Sequence, residues 1–232
     1  LFRSNPFKMS NPFKAKLGLQ ENVEYVLRDS QGKVKPVFQP NRVYLWLMKR
    51  GLAPRDLTSA LFGNFADKMV ISNLITTVGV SGIAARINGS GSPAAYTYIA
   101  LGLGTAVAAD ADTQLTSEIT TSGGARASAT VSLQTTETAG DTAQLLNTFA
   151  FTTGGTFAIC ESGVLNAAST GTLLAHQVFS AINVASGYSL QVTYKFLGQL
   201  LAIIKSKFNK FGEALKKITF EIIPSQALLG TV

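Results

Sequence analysis

The chain's only cysteine and only histidine stand within one stretch, "CESGVLNAASTGTLLAH", which runs from Cys160 to His176 with Glu161 beside the thiol. A thiol, an imidazole and a carboxylate are the parts of a nucleophilic site, in which the imidazole takes the thiol proton and the acid orients the imidazole. That chemistry needs an activating setting for the sulfur. The residues around Cys160 are small and apolar, a setting in which a cysteine behaves as a buried hydrophobe. "ESG" and "NAASTG" read as turns, which makes Glu161 a turn or edge residue and the stretch a strand, a turn and a strand. The expectation is that the three residues share a hairpin without acting together, and no catalytic residue is assigned.

Two other groupings carry residue types that could bind a ligand. Asp110, Asp112 and Glu118 are possible oxygen ligands, but a hard cation takes about six or more oxygens and the segment offers few. A solvated acidic loop is expected there, with no metal. Gly102 and Gly104 in "GLGTAVAADADT" lack the Gly-Lys-Ser/Thr that completes a phosphate loop, so they read as a strand end and a loop, with no cofactor. One cysteine excludes an internal disulfide, and with one histidine it leaves no Cys/His zinc set.

The elements that carry these residues are read from periodicity. From about Val70 onward, short alternating runs are separated by Gly, Ser and Asn, which predicts an all-β sandwich or barrel. "RASATVSLQ" is expected to send Ala127, Ala129, Val131 and Leu133 inward and Arg126, Ser128, Thr130 and Ser132 outward. "LLAHQVF" and "YSLQVTYKF" alternate likewise, the second placing Leu190, Val192, Tyr194 and Phe196 on one face. Tyr96 and Tyr98 fall on one face of "AYTYIAL", where, if exposed together, they would form a sugar platform.

Before this body, "RDSQGK" reads as a hairpin turn between Val23, Tyr25 and Leu27 on one side and Val34 on the other. "NRVYLWLMKRG" offers a short helix or strand, and "PRDLTSALFGNFADKM" a helix carrying Leu57, Leu61 and Phe65. The first residues repeat "SNPFK" at Ser4–Lys8 and Ser10–Lys14. Asn-Pro disfavours helix in such a chain, so the repeat reads either as an anchor arm that presents Phe7 and Phe13 from an extended or turning chain or as a disordered terminus. After Phe196, Leu197, Leu201, Ile204, Phe208, Phe211, Leu215, Ile218 and Ile222 recur at alternating intervals of four and three, as on one seam of a helix. The expected domains are therefore a basic arm with linker helices over residues 1–68, a β-sandwich-like body over 69–196, and a C-terminal amphipathic helix over 197–232.

Charge follows the same division. Lys and Arg number twelve against five Asp and Glu in residues 1–68, two against six in 69–194, and six against two in 195–232. The body is mildly acidic between basic ends. Nucleic-acid binders interleave basic and stacking residues on one folded surface, which is not the pattern here, so no nucleic-acid partner is expected. The long uncharged stretches are rich in Ser, Thr, Asn and Gly and lack the run of about 20 apolar residues that spans a bilayer. The tail seam is assigned to packing against protein rather than to a membrane surface.

The body resembles a group of small tailed-bacteriophage structural proteins found among virion and tail-fibre-like genes. The likeness rests on "YIALGLGT", "ESGVLNAAS" with "TLLAHQVFSAINV", and "GYSLQVTYKF", with "GKVKPVFQPNRVYLWLMKRGL" upstream, and covers roughly Glu21 to Phe196. The resemblance implies a non-enzymatic component of the virion, with no active-site residue to carry over. Such proteins tend to end near Phe196, and the "SNPFK" arm lies outside the likeness. The combined expectation is a mainly β, antiparallel sandwich-like virion protein. It would be repeated as a homo-oligomer, with a trimer as the default, and dock on capsid, neck or tail. Phe7, Phe13, Leu201, Ile204, Phe208, Phe211 and Leu215 are the expected docking residues. The alternative is a module that binds a glycan on the host surface.

Overall fold

The computed structural model describes residues 18–52, 61–91, 93–152 and 156–199. The expected docking residues Phe7, Phe13, Leu201, Ile204, Phe208, Phe211 and Leu215, and the C-terminal amphipathic helix, lie outside them.

The order of elements is β1 (Gly18–Arg28), β2 (Val34–Lys35), β3 (Val37–Pro40), α1 (Arg42–Lys49), β4 (Gly63–Ala66), β5 (Met69–Ile71), β6 (Leu74–Ile75), α2 (Thr77–Asn88), β7 (Tyr98–Gly102), β8 (Ala127–Ser128), β9 (Thr130–Gln134), β10 (Thr142–Ala150), β11 (Phe157–Leu165), β12 (Leu173–Val184) and β13 (Ser189–Gln199). One sheet runs β2-β1-β13-β10-β9, with β5 also paired to β1; a second runs β6-β12-β11-β7-β8; β3 and β4 form a separate ribbon. Every pair with a recorded register is antiparallel. The mainly β, sandwich-like class expected from alternation is what the chain forms. Residues Glu21–Leu197 make one compact unit, so β1 from Glu21 onward and β2 to β4, from the segment read as an arm, belong to it.

The alternation works because each sheet buries one face. Tyr25 of β1, Leu145 and Phe149 of β10, and Leu190, Val192 and Tyr194 of β13 join Ile99 and Leu101 of β7, Val164 of β11 and Phe179 of β12 in one core. Inside it the Ser162 hydroxyl lies 2.6 Å from the Tyr25 hydroxyl and 2.5 Å from that of Tyr194. Ser162 belongs to one sheet and both tyrosines to the other. The three hydroxyls can therefore satisfy one another across the sandwich, as buried polar groups must. Burial, and for Tyr25 the neighbouring Tyr194, raise both phenol pKa values above the ordinary range, so both stay protonated donors.

Three segments differ from the expectation. Residues 63–66 form β4 rather than continuing a helix through Phe65, whose side chain instead meets the edge of the Phe38 ring. The body also holds a helix, α2, where only strands were expected. The Thr76 side chain caps it by accepting from the Gly79 N–H at 3.0 Å, and Gly89 closes it in the left-handed conformation.

Val131 and Leu133 are 53% and 72% exposed, not inward and covered. They do lie opposite Leu145 and Ala143 of β10 and so share the face that bears the buried Leu145. Among the described residues, the opposing sheet ends at the two-residue β8.

Replacing Ser162 by alanine leaves two buried phenols short of a partner and should cost about 1–3 kcal/mol. Tyr194→Phe in the same background should add less than it does alone, because the groups form one network. Denaturant melts of the single and double variants check this.

Candidate functional site

Glu161 lies in the middle of β11, between β12 and β7, and is fully buried. It is not the turn or edge residue that "ESG" suggested; a charge there is tolerable only if its oxygens are saturated. They are. Oε1 accepts from the backbone N–H groups of Gly104 at 2.9 Å and Ser117 at 2.6 Å, and Oε2 from that of Thr116 at 3.0 Å. His176 Nε2 completes the set at 3.0 Å from Oε2. The other ring nitrogen, Nδ1, lies 2.7 Å from Asp112 Oδ2, which also accepts from the Ala109 N–H at 2.8 Å.

Glu161 and His176 meet because β11 and β12 are antiparallel neighbours. His176 sits opposite Gly163, two residues from Glu161 along the same strand face. Gly102 and Gly104 make the room: a Cβ at either position would collide with the Glu161 carboxylate. The pair in "GLGT" is therefore a close-approach requirement, filled from the neighbouring strand by a protein carboxylate where a phosphate loop would hold its ligand.

Electrostatics follows from the geometry. Both ring nitrogens of His176 face carboxylate oxygens, and a neutral imidazole has only one N–H, so the imidazolium fits best. Burial alone would push the His176 pKa down, but the hydrogen bonds and charges of Glu161 and Asp112 outweigh it and raise the pKa. Burial alone would push Glu161 up, but the His176 hydrogen bond and the three backbone donors outweigh it and hold its pKa below the ordinary value.

The result is an acid-base-acid chain that ties residues 104–117 to the sheet. Further backbone bonds flank it, from Leu103 N to Ser117 O at 2.9 Å and from Thr77 N to Asp110 O at 2.8 Å. Glu118 works separately. It grips Arg126 through Nε at 2.8 Å and Nη2 at 2.6 Å, while Arg126 Nη1 donates to the carbonyls of Ala167 and Thr170 in the turn between β11 and β12. Arg126, expected to point outward, is thus a largely buried staple, its side chain 9% exposed.

The structure does not assemble a thiolate pair. Both nitrogens of the imidazole are engaged by carboxylates, while the Cys160 thiol donates to the Ala158 carbonyl at 3.3 Å. Asp112 and Glu118 serve His176 and Arg126 respectively, and among the described residues no group of three or more acidic, His or Cys side chains is arranged to hold a metal. Tyr96 and Tyr98 do not make a shared platform. Tyr96 packs on the main core and Tyr98 on the separate Ala100, Leu115, Leu165 and Leu173 cluster. No helix among the described residues is long and apolar enough to cross a membrane. No family model, curated protein or solved structure matches the chain.

The opposite pKa shifts set a pH window. The raised His176 value contributes stability that is present below its unfolded pKa, about 6.5, and is lost as pH rises through the folded value. The lowered Glu161 value contributes stability present above its unfolded pKa, about 4.3, and lost as pH falls through the folded value. The melting temperature of the wild type should therefore fall on both sides of this window. In His176→Gln the alkaline fall should flatten, with a loss of about 3–5 kcal/mol near pH 6 from breaking the buried pair. An identical alkaline slope in wild type and variant would refute the assignment.

Proposed function

We propose that this chain is a non-enzymatic structural subunit of a tailed-bacteriophage virion, repeated as a homo-oligomer and attached to capsid, neck or tail through its terminal segments. The setting comes from the sequence resemblance over Glu21 to Phe196. The observation that carries the assembly reading is strand β9.

Among the described residues, β9 closes its sheet on one side, with no further strand of that sheet beyond it. Natural edges of this kind are blunted by charge, proline or a bulge. "TVSLQ" has no charge and no proline, and its register with β10 is unbroken over five residues. On it stand Val131 and Leu133, both more than half exposed. A free edge of that composition aggregates unless another chain covers it, and a copy of itself is the partner always present.

The titratable residues favour the same reading. The Glu161, His176 and Asp112 chain is spent on internal hydrogen bonds, leaving its histidine no nitrogen for a substrate. Mechanically, the clamp stiffens the body, the low-charge strands pack between copies, and the basic ends supply contacts to neighbouring virion proteins.

The full-length protein is expected to run as a defined oligomer by native mass spectrometry, and Val131→Lys with Leu133→Lys to shift it toward monomer without unfolding it. Particles assembled with the double variant should carry much less of it. A wild type that is monomeric at micromolar concentration and absent from purified particles would overturn the proposal.

A further inference from the structure

Beside α1 lies a cavity of about 820 Å³, within the size range of sites that hold a small ligand or a few residues of peptide. Its apolar walls include Leu45 and Met48 of α1, Leu103 and Val107 of the clamped loop, and Phe157 and Val178 of the sheet. The loop that forms one wall is the one that Glu161 and Asp112 fix in place.

The polar groups of the cavity are specific. Between the pairs Ile159–Ile182 and Glu161–Val178, β12 has three residues, Phe179 to Ala181, against the single Cys160 of β11. Such irregularities re-aim side chains next to binding sites. Ser180 belongs to this segment and lines the cavity; it is only 8% exposed, and its hydroxyl has no hydrogen-bond partner among the described residues. Asn73 lines the cavity too, and both its amide nitrogen and its amide oxygen are buried without a partner among the described residues. One donor and one acceptor on a planar amide complement the C=O and N–H of a peptide unit. Apolar walls around such an amide suit an extended peptide with a large apolar side chain. Asp110 adds an acidic group to the lining and Lys49 of α1 a basic one.

We infer that this cavity receives the "NPFK" segment of a neighbouring copy, with the phenylalanine between the apolar walls, a peptide unit on Asn73 and the following lysine toward Asp110. The match is chemical. Each arm carries the segment twice, as Asn5–Lys8 and Asn11–Lys14. Each proline lacks an N–H of its own and disfavours helix in the asparagine before it. The eleven peptide steps from Phe7 to Gly18 give the segment a reach of at most about 40 Å. The inference rests on the self-assembly proposed above and names the contact that would order the copies.

Cys160 lines the same cavity and serves as the reporter. Full-length Phe7→Cys and Phe13→Cys proteins would be oxidised under native conditions and run on non-reducing gels, with oligomeric state measured in parallel. At least one should give disulfide-linked dimers that disappear when Cys160→Ser is added, whereas Phe208→Cys should give none. In the Phe7→Ser, Phe13→Ser double variant, an aromatic disulfide reagent should label Cys160 several-fold faster than in wild type, and Asn73→Leu should reduce the cross-link.

An oligomer with no cross-link through Cys160 from either position and an unchanged labelling rate overturns this inference and leaves the assembly proposal standing. A cross-link only within one chain, or from Phe208→Cys instead, also overturns it. A wild-type protein that is monomeric removes both.

Discussion

A carboxylate held at the centre of a sheet is the constraint on which the arrangement of this protein turns. Glu161 is fully buried, and its charge is tolerated because three backbone N–H groups and the His176 ring converge on it. Those three donors come from two separated points on one long loop, so saturating the acid and fixing the loop are the same event. His176 extends the hold by engaging Asp112 with its second nitrogen. Buried ion pairs are weak contributors to net stability, yet removing one partner is strongly destabilising, which suits a device that specifies one loop conformation.

Much else in the body follows from that fixed loop. The loop covers the outer side of β7, β11 and β12, where Leu115 joins Ala100, Leu165 and Leu173 in a second small core. It gives α2 a backbone partner through the Asp110 carbonyl, and it forms one wall of the cavity beside α1. On the opposite face of β11, Ser162 turns inward to the two tyrosines, so adjacent residues of one strand anchor both of its sides.

The strands were legible in the sequence because a half-buried sheet enforces a two-residue period, which β13 keeps through Leu190, Val192, Tyr194 and Phe196. What was illegible depended on partners distant in sequence. In α2, Gly79, Gly82 and two valines are poor helix formers; the helix is held by packing so close that a Cβ on Gly79 would strike the backbone of Leu174. Its boundaries were readable, with Thr76 as a cap and Gly89 as a stop. For Val131 and Leu133 alternation gave the correct face but not the burial, which depends on where the opposing sheet ends. Glu161 offered one usable signal: a lone acid inside the apolar run "FAICESGVL", two strands' reach from "GLG". A charge in a run that otherwise reads as a central strand demands buried partners, and His176 was the nearest residue able to bring a positive one.

The central claim is that the Glu161, His176 and Asp112 chain makes residues 104–117 part of the rigid body. Amide hydrogen exchange at Gly104, Thr116 and Ser117 in the full-length protein tests it most directly. The account predicts that these amides exchange as slowly as those in the middle of β11 and β12, and at least about tenfold faster in His176→Gln while the strand amides stay protected. Exchange in the wild type at the rate of an open surface loop, or no change in the variant, would contradict it.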